Sequence, residues 1–394
     1  MPDWPWASLS LLQCILLLPV AGGSLYSLAC LWTLARFKAS TRCPRPELPS
    51  WPPVTLLKPI HGLEKGLEDN LRSACSQDYP DYQVVFSVQR HDDPALALLQ
   101  RLEQEFGPAR VDVVVDAAGT APNGKIRNLL GAFPHARHDV LVISDSDVRL
   151  RPDYLKAIVA PLAAPGVGCA CTFYRAVGAG KIYETLEQLS LNADFLPNLV
   201  FAHVTGASRF LLGASTALTR ATLEEIGGLA ALSDYLVEDF EMGRRILAAG
   251  KRIAIVPYFV DTVVDLGTPA QWWSHQLYWD QNTRAANASG LFGTLFVRAI
   301  PFAVLFAAVR RADPAGLAVL LAATTIRLAA SGIFLSWGLG DWKGVRSLLL
   351  LPCRDLAGLV SWALAFLRPT GTWRGARFIL TRDGRMVIPD EPAA

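Results

Sequence analysis

The sequence predicts an α/β protein: a doubly wound mixed sheet in the middle of the chain, flanked by transmembrane helices, one N-terminal and about three C-terminal. Short apolar runs alternate with helical stretches between residues 54 and 144. Apolar residues crowd roughly the first forty positions and the last third of the 394-residue chain. The whole is 52% hydrophobic and only 18% charged, with a mean hydropathy of +0.28, high for a soluble protein.

The N-terminal element comes first. Residues 8–37 carry one charge, Arg36, and are long enough to cross a bilayer at about 1.5 Å per residue. No basic residue precedes them and the stretch is too long for a cleaved signal peptide. Arg36, Lys38, Arg42 and Arg45 follow, so the positive-inside rule puts the next domain in the cytoplasm. The proline-rich stretch 43–53 reads as a stiff linker.

Four runs then read as buried parallel strands: 54–57, 83–88, 110–115 and 139–143. Helices are expected over 66–75, 94–105 and 125–132, with Leu96, Leu98, Leu99 and Leu102 on one broad face of the second. In such sheets ligands sit beyond the carboxyl ends of the strands. His91-Asp92-Asp93-Pro94 follows the second strand and Asp145-Ser146-Asp147 the fourth. Two carboxylates one residue apart on an extended backbone point the same way and suit a hard divalent cation. The competing reading is a solvated turn with capping aspartates. Glu238-Asp239 opens a helix over 239–249, where a carboxylate serves either as a cap or as a general base.

The C-terminal third holds three apolar candidates, 291–309, 315–337 and 348–367, each with an arginine inside or close by: Arg298, Arg327 and Arg354. Arginine facing lipid is costly, so these are expected to face protein, water or headgroups. Three crossings would put the basic tail 368–377 outside, so one segment is a candidate for a re-entrant or interfacial element. The tail's Trp373, Arg374, Arg377 and Phe378 fit either an interfacial anchor or a loose end. The expected partition is an anchor and linker over 1–45, a catalytic domain over 46–289, membrane helices over 290–368 and a tail over 369–394, in a multi-pass membrane protein.

Net charge is +2, and no Lys/Arg run is interleaved with aromatics, so nucleic acid is not expected as a partner. The seven cysteines are odd in number and irregularly spaced, which fits reduced thiols better than a zinc site. Asn287-Ala288-Ser289 matches a glycosylation sequon that a cytosolic location would leave silent. The aromatic run 271–279 reads as a membrane-interface belt or as the lining of a sugar and lipid pocket.

Taken together, Leu56-Leu57-Lys58-Pro59, Asp78-Tyr79-Pro80-Asp81-Tyr82, His91-Asp92-Asp93-Pro94, Lys125-Ile126 with Asn128-Leu129, Asp145-Ser146, Gly227-Gly228-Leu229 and Glu238-Asp239 resemble the inverting, lipid-directed glycosyltransferases of the GT-A fold. The likeness is to the ceramide glucosyltransferase family and its bacterial relatives, including hopanoid-associated glycosyltransferases, and runs from about residue 54 to 284. The resemblance implies that Asp93 binds the nucleotide of a UDP-sugar donor. It implies that Asp145 and Asp147 hold a divalent cation, Mg²⁺ or Mn²⁺, and the donor diphosphate. Lys125 would stand near the donor, and Asp239 would activate the hydroxyl of a membrane lipid. His275 and Trp279 align with the family's (Q/R)xxRW element, here lacking its arginine, with Tyr278 between them, and the resemblance implies that they contact the donor. Arg284 is a candidate for the missing charge. The expected reaction moves a hexose from UDP-glucose to ceramide. The alternatives are a hopanoid N-acetylglucosaminyltransferase, with bacteriohopanetetrol as acceptor, and a processive polysaccharide synthase. Single displacement with one base implies inversion.

Overall fold

A computed structural model describes residues 9–41, 47–116, 121–208, 210–368, 370–373, 376–381 and 384–387. The chain forms two compact units, each assembled from three separate stretches. A helical unit comprises 1–39, 180–207 and 266–369; a sheet unit comprises 40–179, 208–265 and 370–394.

The path begins in the helical unit with α1, Leu11–Ser40. The sheet unit follows with β1 (Val54–Pro59), α2 (Leu67–Cys75), β2 (Tyr82–Val88), α3 (Leu96–Phe106), β3 (Val111–Val115), α4 (Gly124–Ala132) and β4 (Val140–Ser144). These four strands run parallel in the order β3-β2-β1-β4, as the apolar runs predict. Every residue of β1, β2 and β4 is buried, which is why their sequences lack an alternating polar face. After β5 (Val148–Arg149), α5 (Tyr154–Val159) and β6 (Val167–Val177), the chain returns to the helical unit for α6 (Ile182–Ser190) and α7 (Leu196–Val204). It re-enters the sheet unit for β7 (Ser215–Thr219), α8 (Arg220–Glu225), α9 (Glu238–Ala248) and β8 (Arg252–Val263). The sheet has the order β3-β2-β1-β4-β7-β6-β8-β5, and β7 pairs antiparallel with β4 and with β6, so the sheet is mixed.

The helical unit is completed by α10 (Pro269–Gly293), α11 (Ala299–Val309), α12 (Pro314–Ile333), α13 (Trp342–Arg346) and α14 (Leu351–Leu367). Among the described residues, three helical stretches are long and apolar enough to cross a membrane: Leu11–Ser40, Pro314–Leu339 and Leu348–Leu367. A fourth candidate, Pro269–Val297 with Ala299–Val309, is bent by 52° at Arg298, a broken span or a re-entrant loop. Its break lies within 291–309, one of the three segments among which the charges left the crossing count open. The chain then ends in the sheet unit with an antiparallel hairpin and short third strand, β9 (Thr370–Trp373), β10 (Ala376–Leu380) and β11 (Met386–Val387).

The compact units cut across the linear partition. Residues 180–207 and 266–289, read in sequence as catalytic domain, group with the apolar helices, and the tail groups with the sheet unit. Polar side chains tie the first group together. Gln188 Nε2 donates to Asp341 Oδ1 at 2.8 Å, and Ser190 Oγ donates to Gln276 Oε1 at 2.8 Å. The expectation for the arginines is met for two of them. Arg354 pairs with Asp194 at 2.6 Å, and Arg327 with Asp355 at 3.0 Å, inside the unit. The six described cysteines are free thiols. Arg42, Cys43, Arg45 and Arg374, and the side chains of Trp373, Arg377 and Phe378, lie outside the described residues.

Candidate active site

The site of interest lies in the sheet unit at the carboxyl end of β4, where a ligand site belongs. There the chain turns through Asp145-Ser146-Asp147. Lys58, the lysine of the LLKP run, is fully buried beneath this turn. Its Nζ donates to the backbone oxygens of Asp145, at 2.7 Å, and Val148, at 3.0 Å. Burial lowers the Lys58 pKa to about 8, against the pull of Asp147 and Asp145. Ser146 Oγ donates to Glu64 at 2.7 Å, which brings a third carboxylate to the turn. Asp147 is pushed up to about 7, first by burial, then by Asp145 and Glu64.

Lys125 approaches from α4. Asn123 caps that helix, its Oδ1 accepting the N–H groups of Lys125 and Ile126 at 2.9 and 3.1 Å. Asn123 Nδ2 donates onward to Glu238 Oε2 at 3.1 Å. Lys125 Nζ lies 2.7 Å from Asp145, 3.1 Å from Glu238 and 3.0 Å from the Gly213 carbonyl oxygen. Burial opposes this ammonium, but Asp145 and Glu238 outweigh it and hold its pKa above the ordinary lysine value.

Asp239 stands in the first turn of α9, where the helix dipole favours a carboxylate. It accepts from the Phe240 N–H at 2.7 Å. Burial, then neighbouring Glu238, pushes its pKa to about 7. A Cβ at Gly213 would fall 2.5 Å from Asp239 Oδ2, so glycine lets the loop approach this carboxylate closely. The segment leading into α9 is held from two sides. Asn123 binds it through Ser233 and Tyr235, and the tail strand binds it through Met386 N–H to Asp234 O and Leu236 N–H to Gly384 O, at 2.7 and 3.2 Å.

The expected residues therefore fall into three places. Lys125, Asp145, Asp147 and Asp239 gather at one end of the sheet. Asp93, after β2, turns its buried carboxylate onto the backbone N–H groups of Gly62 (3.1 Å) and Ala95 (2.9 Å), shaping the loops there. His275 and Trp279 belong to α10 of the helical unit. Trp279 Nε1 lies 3.2 Å from His275 Nε2, and His275 Nδ1 lies 2.9 Å from Glu187. Indole N–H only donates, so Nε2 accepts and the proton sits on Nδ1. Both ring nitrogens are thus engaged within the helical unit. Arg284 lies further along the same helix.

The donor set fits a divalent cation. Asp145 and Asp147 offer hard oxygen ligands, and a cation would offset both the burial and the carboxylate repulsion that raise Asp147. Among the described residues no three His, Cys, Asp or Glu side chains are grouped to hold a metal by themselves. Two carboxylates with the remaining positions filled by phosphate and water is the usual arrangement for Mg²⁺. Sequence reasoning left out Lys58, Glu64, Asn123, Gly213 and Glu238 as site residues. Asn before a helix start was a readable capping signal; Glu64 and Gly213 sit in loops with no pattern around them.

Ceramide glucosyltransferase 1 of Caenorhabditis elegans is 23% identical over 217 residues, 52% of this chain and 44% of that protein. Ceramide glucosyltransferase of Gibberella zeae is 31% identical over 155 residues, 37% of this chain and 28% of that protein. The matched stretches thus span less than half of these relatives' lengths. Among solved structures, mannosyltransferase PcManGT from Pyrobaculum calidifontis, in complex with GDP-Man and Mn²⁺, aligns over 90% of this chain and 99% of that one, at 21% identity and a TM-score of 0.49. The profile of glycosyl transferase family 21 matches residues 15–386, and the chain belongs to that family.

Proposed function

We propose that this protein transfers a hexose from a nucleotide-sugar, UDP-glucose by preference, to the hydroxyl of a membrane lipid, ceramide by preference, with inversion. The observation that carries this reading is the gathering of Asp145, Asp147, Lys125 and Glu238-Asp239 at the carboxyl end of β4. Membership of the family and the names of the relatives support the lipid acceptor.

In this reading Asp145 and Asp147 hold a divalent cation, which when bound neutralises the charge on the departing diphosphate. Lys125 adds a fixed positive charge beside it and keeps Asp145 in place. Asp239 takes the proton from the lipid hydroxyl; a base with a pKa near 7 is matched to neutral pH. Glu238 is committed to Lys125 and Asn123, which leaves Asp239 as the base. Asp93 positions the loop that receives the nucleotide. The apolar helices anchor the chain, and Arg36 and Lys38 near the C-terminal end of the first of them favour a cytoplasmic sheet unit.

The test is transfer by the purified full chain in detergent. Radiolabelled UDP-glucose or UDP-N-acetylglucosamine is offered with ceramide or bacteriohopanetetrol, with and without EDTA. Glucosylceramide formed only with divalent cation is the expected product. Polymer, or no glycolipid from any pairing, overturns the reading.

A further inference from the structure

The groups gathered beyond β4 come from two arms. In the proposed reaction Lys125 and Asp145 stand on the donor side, and Glu238-Asp239 on the acceptor side. Asn123 touches both. It is 7% exposed, and its backbone N–H donates to Ser233 O at 3.0 Å. Its Oδ1 takes the N–H groups of Lys125 and Ile126, and its Nδ2 donates to Tyr235 O at 3.0 Å and to Glu238 Oε2 at 3.1 Å. A side-chain amide has two donor hydrogens and an oxygen with two lone pairs, so its whole capacity is in use. These partners also fix its orientation. Turned over, the amide would set N–H against N–H and oxygen against oxygen.

Capping a helix needs only the oxygen, and Ser, Thr or Asp would hold the start of α4 as well. Among good capping residues asparagine alone adds N–H donors, and here these leave α4 for the segment that leads into α9. They reach residues 235 and 238, on either side of the turn into α9 and just before Asp239. Glu238 is thereby held at both oxygens, Oε1 by Lys125 at 3.1 Å and Oε2 by Asn123. Lys125 in turn reaches the carbonyl oxygen of Gly213, the glycine that backs onto the Asp239 carboxylate. One buried amide thus ties the start of the donor-side helix to the start of the helix that carries the base.

We propose that Asn123 is a positioning residue: it holds Asp239 in place relative to the donor-side lysine, and it serves turnover rather than donor binding. This rests on the transfer reading and adds what keeps the base aligned with the donor.

The test uses the purified full chain in detergent. Asn123→Ser and Asn123→Asp both keep a capping oxygen and lose the Nδ2 donors. Each should lower kcat by about tenfold or more, the loss expected for one hydrogen bond to a charged group, with the KM for UDP-glucose within about twofold of wild type. Amide hydrogen exchange should quicken over 233–240 and stay unchanged over 125–132. Asn123→Asp also sets a second carboxylate beside Glu238 and should lose more; should it not fold, Asn123→Ser carries the test alone. Wild-type kcat in Asn123→Ser overturns the proposal. So does a raised KM for UDP-glucose with kcat unchanged, or quickened exchange confined to α4, since either assigns Asn123 to the cap alone. The two readings fail separately. A wild-type chain that forms no glycolipid, with exchange over 233–240 quickened in Asn123→Ser, sinks the reaction and supports the tie. An active wild type with undiminished kcat in the variant sinks the positioning role and leaves the reaction.

Discussion

Both units hold buried charge, but they hold it in opposite ways. In the helical unit Arg327 and Arg354 are matched by Asp194 and Asp355, and the network runs on through Ser190, Gln276 and Glu187 to His275. In the sheet unit the carboxylates of Asp145, Asp147, Glu64, Glu238 and Asp239 crowd around two lysines, Lys58 and Lys125. The paired network is already satisfied and acts as a strut. The crowded one is poised for a positive partner and a proton, which is the signature of chemistry rather than architecture.

The contrast can be broken from either side. The largest effect is expected from Asp239→Asn, which removes the proposed base and should lower kcat by about 10²–10⁴, with the circular-dichroism spectrum unchanged. Asp147→Asn, or EDTA on the wild type, should lower transfer by at least about a hundredfold, and isothermal titration with Mn²⁺ should show binding lost in the variant. Arg354→Met tests the strut. It leaves Asp194 and Asp355 short of a partner and should destabilise the protein by about 3–5 kcal/mol, read as a lower Tm. Added Mn²⁺ should not restore it. The pH profile refines the comparison further. A base acts unprotonated, and Asp239 is raised to about 7, so kcat/KM should rise with pH and level off above about 7. Below that it should fall by about tenfold per unit. A flat profile from pH 5 to 8 would remove Asp239 from the role. The smallest effect is expected from Gly213→Ala, which should cost several-fold in kcat by displacing the Asp239 carboxylate.

Much of the sheet unit was legible because its first half is local. Continuous apolar runs such as 83–88 name buried parallel strands, and the four observed strands fall on them. The acidic pairs stood out because they follow those strands directly. The second half of the sheet was not read. β6 and β8 pair across more than eighty intervening positions, and nothing local announces that partnership. Glu64 reaches the site through Ser146, and Asn123 reaches it through Glu238; both depend on contacts between distant loops. The division into units was hidden for the same reason. Helices α6 and α10 carry polar residues whose partners are distant in sequence: Gln188 of α6 bonds Asp341, and Gln276 of α10 bonds Ser190 and Glu187.

The tail hairpin carries a consequence for how the protein comes into being. Residues 384–386 hold the segment 234–236 that leads into Asp239, yet they are translated only after α10–α14. During synthesis the sheet unit therefore stays unfinished until the apolar helices have been translated. A nascent chain stalled before residue 384 would lack the backbone contacts that hold the segment leading into Asp239.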